Sequence, residues 1–328
     1  MKLKYFINIS FLLSLLLFMN ACDKEEYAIP TLSKNLQNDV IKRSLGPNVI
    51  GQQIEFAYAM AMGPEVGKIV SAQVEASIAG APGTFLENRS FYTNTGGADV
   101  GVIIGEASVT NGKTTKVTFT ADTCAATLRY YYVVPEEARG KSVSFTFSTI
   151  SSNEQTASYS MGPYTISKMD MVLGLDLSDN NACYISIADM AVYNEADAAA
   201  NADKIDLLYL YRTTPANFTH ALVSPAADAI YLPGITLPSG VNRSTKVSKV
   251  WNLRDWQLDP RHQYSVFVDD LDFQELDLSG APNYALNLKE EAGIWVETAD
   301  GKYRAYIFIN SINNSTKSAR IGIKRYAL

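Results

Sequence analysis

The chain has 328 residues, 47% of them hydrophobic and 19% charged, with a formal net charge of −6. That length exceeds one ordinary domain and the composition supplies ample core, so two folded units are expected and wholesale disorder is excluded. An acidic surface releases no counterions from a phosphate backbone, which argues against nucleic acid as a partner.

From the N-terminus, Lys2 and Lys4 precede the run Phe11-Leu12-Leu13-Ser14-Leu15-Leu16-Leu17-Phe18. This is the order of a secretory signal, and the run falls short of the ~20 apolar residues that span a bilayer. Asn20 and Ala21 lead into Cys22. A cysteine placed there resembles the lipobox of a bacterial lipoprotein, with Met19-Asn20 departing from its commonest form. The resemblance implies a signal peptide over 1–22, acylation of Cys22 and a chain anchored in the membrane rather than spanning it. Three acyl chains, at about 0.8 kcal/mol per buried methylene, would make that attachment practically permanent. Residues 1–22 carry two lysines and no acid, so cleavage would take the net charge from −6 to −8. Attachment would then rest on lipid and not on a polybasic patch. The next residues, Asp23-Lys24-Glu25-Glu26, resemble the lysine-plus-two-acids signal that sends lipoproteins of Bacteroidetes across the outer membrane. On that resemblance Lys24, Glu25 and Glu26 are an export signal and the protein faces the exterior; a solvated linker is the plainer reading of the same charges. Residues 23–45, poor in apolar groups and containing Pro30, are expected to form a tether.

Beyond the tether the pattern has period two. Val117 and Phe119 alternate with polar neighbours, as do Val143, Phe145 and Phe147, and Leu128, Tyr130, Tyr132 and Val134 oppose Arg129, Tyr131 and Val133. Such alternation sets one strand face on a core and the other in water. Asn111-Gly112 predicts a tight hairpin turn. Residues 46–167 are therefore expected to form an Ig-like β-sandwich. Residues 168–328 are expected to form a β-rich α+β domain with antiparallel sheet and few short helices. One helix is predicted at 195–200, with Asn194 as N-cap. It is flanked by strands near 183–192 and 204–212, the second with Ile205, Leu207, Tyr209 and Tyr211 on one face. Prolines 225, 233 and 238 and glycines 234 and 240 make 224–242 a surface loop, and long ordered loops often carry binding. The segments 293–298 and 303–309 predict a hairpin turning at Gly301, and a last strand follows at 319–325.

Three runs carry a wider resemblance: Ala125-Ala126-Thr127-Leu128-Arg129-Tyr130-Tyr131-Tyr132-Val133-Val134-Pro135-Glu136-Glu137-Ala138-Arg139-Gly140-Lys141, Val268-Asp269-Asp270-Leu271-Asp272-Phe273, and Trp295-Val296-Glu297-Thr298-Ala299-Asp300-Gly301-Lys302-Tyr303-Arg304-Ala305-Tyr306. They look like a Bacteroidetes surface lipoprotein family of unknown function, with an Ig-like first domain and a family-specific second one. The resemblance implies location and architecture and lends no activity, cofactor or catalytic residue.

The residues themselves offer little chemistry. His220 and His262 stand in no metal-binding spacing, and no G-x-S-x-G elbow occurs, so no enzyme, metal or cofactor is expected. Paired carboxylates for glycoside hydrolysis need a separation that sequence does not give. Asp269, Asp270, Asp272, Glu275 and Asp277 form the densest acidic run. Asp269, Asp270 and Asp272 are the candidate calcium ligands, set against a solvated edge or a hydrogen-bonded turn, since the run lacks an EF-hand glycine and Leu271 and Phe273 alternate with the acids as along a strand end. Cys124 and Cys183 read as buried thiols more than as a bridge. Tryptophan faces stack on sugar rings; Trp251 falls on a partial helical stripe with Val247, Val250 and Leu258 and is expected in the core, which leaves Trp256 and Trp295 as the candidate ligand-binding residues. The reading that follows is a lipid-anchored, non-catalytic surface module. Its second domain would hold a glycan or other macromolecular nutrient and its first would act as spacer, with an outer-membrane protein as the alternative partner.

Overall fold

A computed structural model describes residues 34–179, 181–261 and 265–328. The signal peptide, Cys22, Lys24, Glu25, Glu26 and His262 lie outside the described residues. Among the described residues the fold is mainly β, built of several antiparallel sheets with two short α-helices. In the first half the strands are β1 (Gln37–Lys42), β2 (Gln53–Ala61), β3 (Ile69–Ala76), β4 (Phe85–Leu86), β5 (Arg89–Thr93), β6 (Asp99–Ile103), β7 (Val109–Asn111), β8 (Thr114–Thr118), β9 (Ala125–Val133), β10 (Ser142–Ser151) and β11 (Thr156–Thr165). They form one sheet in the order β1-β2-β9-β4 and another in the order β11-β10-β3-β8-β7, with β5 and β6 as a separate hairpin.

The inner faces carry the alternating residues that the sequence marks. Phe56 of β2 meets Phe145 and Phe147 of β10 at ring-centroid distances of 4.9 and 5.2 Å, and Tyr132 of β9 meets Phe145 edge-on at 4.9 Å. Aromatic contact across two sheets makes this half a β-sandwich with one continuous core. The β7–β8 turn has Gly112 at φ +57°, as its Asn-Gly pair demands. Residues 37–42, assigned to the tether by the sequence, instead form β1, pairing with β2 from Gln37↔Ala61 to Lys42↔Phe56. Only Val40 of β1 is buried, so one short mixed-polarity edge strand left no periodic signal.

In the second half, β12 (Asp170–Ser178), β13 (Tyr184–Ser186), β14 (Ala191–Tyr193), helix α1 (Glu195–Ala200), β15 (Leu207–Arg212), β16 (Thr219–Val223) and β17 (Lys246–Trp251) come first. Helix α2 (Asp270–Glu275), β18 (Tyr284–Leu288), β19 (Ala292–Glu297), β20 (Tyr303–Asn313) and β21 (Ser318–Ala327) complete the chain. The orders are β12-β21-β20-β19-β17 and β14-β13-β15-β16-β18, and one hydrophobic core takes side chains from both sheets. Asn194 caps α1 as expected, its Oδ1 accepting the Asp197 N–H at 2.9 Å. The β19–β20 hairpin turns through Gly301 at φ +65°. In β15 Leu208 and Leu210 are as buried as Leu207 and Tyr209, so both faces of that strand are covered. The β12–β17 sheet is also covered twice: its other face packs Trp295, Tyr306, Phe308 and Tyr326 against Phe273 of α2, and Val49 of the first half joins that cluster.

The two halves are tied where they meet. Ser167 N–H donates to the Asn48 carbonyl at 2.9 Å, and Arg139 donates to the Lys168 carbonyl at 2.7 Å and to Asp170 at 2.6 Å. Asp170 is shared with Arg325 of β21.

Candidate functional site

The acidic run is consumed by local structure. Asp269 N-caps α2, accepting the Leu271 N–H at 2.9 Å, while Asp272 Oδ2 accepts the Asp269 N–H at 2.8 Å, a reciprocal capping box. Asp270 turns the other way, accepting the Ser167 hydroxyl and the Lys168 N–H (2.9 Å) at the junction of the halves. Of the two expected forms, a solvated edge or a hydrogen-bonded turn, the run takes the second, as the first turn of a helix with Phe273 fully buried on its inner side. The oxygens of Asp269, Asp270 and Asp272 point at different donors, and no group of three metal-ligating side chains occurs among the described residues.

The tryptophans also redistribute. Trp295 is 8% exposed, edge-on to Phe273 at 5.4 Å and tilted on Tyr306 at 4.6 Å, so it presents no face to a ligand. Trp251 is 48% exposed at the end of β17, with Lys249 Nζ 5.2 Å from its ring. The helical stripe expected there is a strand paired with β19 from Lys246↔Glu297 to Trp251↔Ala292. No disulfide joins Cys124 to Cys183.

Trp256 is half-buried and lines a groove of about 690 Å³ between the halves. Leu173 flanks it from β12, and Leu45, Gln52 and Gln53 face it from the first half. Its turn is fixed by Asp255, whose Oδ1 accepts the Gln257 and Leu258 N–H groups at 2.8 and 3.2 Å and whose Oδ2 accepts the Val268 N–H at 2.7 Å. Lys324 of β21 closes this arrangement at 2.6 Å, both side chains being wholly buried, and its Nζ also donates to the Val268 carbonyl at 2.7 Å. Burial lowers the Lys324 pKa, against the pull of Asp255. Gln257 Nε2 donates to the Pro47 carbonyl at 2.9 Å, tying the turn to the opposite wall. The groove therefore joins an aromatic ring, aliphatic rims and amide side chains in a fixed frame. Sequence reasoning missed the frame because Asp255 and Lys324 lie 69 residues apart.

His220 is not beside the groove. It is buried, with Nε2–H donating to Asn314 Oδ1 at 2.7 Å and Nδ1 2.5 Å from the Tyr209 hydroxyl, itself on a buried ring. Burial lowers its pKa. A histidine whose folded value lies below its unfolded one, ~6.5, contributes stability that is complete above that value and is lost as pH falls below it. The stability difference between wild type and His220→Gln should therefore shrink between pH 7 and pH 5, read by urea unfolding at each pH. Taking the difference cancels the opposing contribution of Asp206, whose carboxyl burial pushes up to about 6.

Residues 33–166 match the model of a domain of unknown function, DUF4466, and residues 167–328 match that of another, DUF8576. The crystal structure of a DUF4466 family protein from Parabacteroides merdae is similar at 50% identity and a TM-score of 0.85, over 90% of this chain and 100% of that one. Distant likenesses extend to a C-terminal fragment of the major pilin GBS80 of Streptococcus agalactiae (14% identity, TM-score 0.28, 48% of this chain and 66% of that one) and to the Actinomyces fimbrial adhesin FimA (11%, 0.29, 88% and 96%). Both are too remote to bear on this chain. No curated protein matches it. Identical over half its aligned positions to a DUF4466 protein whose whole length it covers, the chain belongs to the DUF4466 family.

Proposed function

We propose that this protein is a lipid-anchored, outer-membrane module with an Ig-like first half that faces the exterior and binds glycan, or another macromolecular nutrient, without catalysing a reaction. The observation that carries the reading is Trp256, half-buried on the wall of the groove between the halves. Pyranose C–H faces stack on such a ring, and Leu173 (52% exposed) and Leu45 (68%) extend the apolar floor while Gln52 and Gln53 supply amide donors and acceptors for hydroxyls. The first half would then contribute a wall of the site and not act as spacer alone. Trp256→Ala should abolish retention of the protein in affinity gels carrying starch, pectin or mucin, with an unchanged melting temperature to show that the fold survives. Retention equal to wild type in every gel that holds the parent protein would contradict the placement. A second reading, an outer-membrane protein as partner, is favoured by the β5–β6 hairpin, which exposes Tyr92 and Val102 on one face.

A further inference from the structure

Apart from the groove, and sharing none of its lining, the second half holds a cavity of about 790 Å³. Its walls are the strand carrying Tyr184, the exposed side of α1 and the stretch Gly234–Pro238 of the long proline-rich loop. That loop is pinned at its far end. Ser224 Oγ donates to the Arg243 carbonyl at 2.6 Å, and the Arg243 guanidinium pairs with buried Asp206 at 2.9 Å and with Asp300 at 3.0 Å. The cavity is therefore built on anchored backbone and not on a loose flap.

Tyr184 is the informative residue. It is 5% exposed and lines the cavity, and no described residue shares a hydrogen bond with its hydroxyl. A hydroxyl on a cavity wall that no described side chain engages can donate to a bound molecule. Burial, with Cys183 and Glu195 nearby, pushes its pKa up to about 12, so at neutral pH it remains a proton donor. Around it stand the Glu195 carboxylate and the Thr236 hydroxyl, with Ile235, Pro238 and Ala199 giving apolar wall. Asn194 has already spent its Oδ1 on the cap of α1. The described lining holds no lysine or arginine, which disfavours a phosphate or carboxylate ligand.

We propose that this cavity takes a neutral, hydroxyl-rich ligand of one or two sugar rings, with the Tyr184 hydroxyl donating to it and Glu195 accepting from it. The volume falls in the range of small-molecule sites. The proposal does not rest on the groove at Trp256, and polysaccharide retention in a gel reads that groove separately from the binding measured here.

The test is calorimetric titration of the purified protein with glucose, galactose, N-acetylglucosamine, maltose and lactose, with glucosamine and gluconate as charged counterparts. At least one neutral sugar should bind, Tyr184→Phe should weaken it roughly ten-fold by removing one hydrogen bond, and Trp251→Ala should leave it unchanged. Ala199→Trp, at an exposed position of α1, should block the mouth and abolish binding without touching the core. It decides the matter should Tyr184→Phe fail to fold. Absence of binding by every neutral sugar, binding of glucosamine or gluconate alone, or sugar binding untouched by both cavity variants would overturn the proposal.

Discussion

Lys324→Met is expected to destabilise the protein by about 3–5 kcal/mol, because it leaves the Asp255 carboxylate buried without its counter-ion. Both groups are wholly removed from solvent and stand 2.6 Å apart. A buried pair of this kind adds little over a well-packed apolar pair, yet removal of one member is costly, since the remaining charge has no water to turn to. The surface pair of Arg320 with Asp176, 3.4 Å apart and exposed on both sides, provides the contrast: Arg320→Met should change stability by less than about 1 kcal/mol. Urea unfolding with unchanged m-values measures both. The Lys324 variant should also loosen the Trp256 turn, because Asp255 holds the N–H groups of Gln257, Leu258 and Val268. A cost below about 1 kcal/mol would mean that water or a rearranged partner meets Asp255, and the fixed frame ascribed to the groove would fall with it.

Phe145→Ala should cost a similar ~3–5 kcal/mol, from lost transfer energy plus the cavity left behind. Phe145 is fully buried between the two sheets of the first half, with Phe56 and Tyr132 both 4.9 Å away by ring centroid and Tyr130 at 6.0 Å. These neighbours come from β2 and β9 across the sandwich, so they cannot close the void without moving a sheet. Tyr159→Ala, on the exposed neighbouring strand β11, should cost less than about 1 kcal/mol by the same denaturant measurement. Equal costs at the two positions would remove the sandwich core as the source of stability in this half.

The strands that pack one face on a core were readable because side-chain direction reverses at each residue. Thus Phe145 and Phe147, or Tyr130 and Tyr132, announce their sheets without any knowledge of their partners. The α1 cap was readable for a like reason: Asn194 acts within three residues of itself. Misreadings arose where two local signals competed. Leu271 and Phe273 alternate as a strand would, but the reciprocal Asp269–Asp272 bonds favour a helical turn, and Phe273 buries equally well from it. Trp251 and Trp295 exchanged roles because a short strand edge imitates a helical stripe, and because Trp295 lies in a sheet covered on both faces, where every residue is inward. The Asp255–Lys324 pair and the hold of Gln257 on Pro47 depend on distant chain segments meeting, and nothing local marks them.

The placement of a ligand on Trp256 is tested most directly by the indole N–H resonances of Trp251, Trp256 and Trp295, recorded before and after addition of an oligosaccharide from a polysaccharide that retains the protein. The Trp256 signal should shift while that of Trp295, sealed between Phe273 and Tyr306, stays in place. A shift confined to Trp251, or three signals unmoved at saturating sugar, would contradict the account.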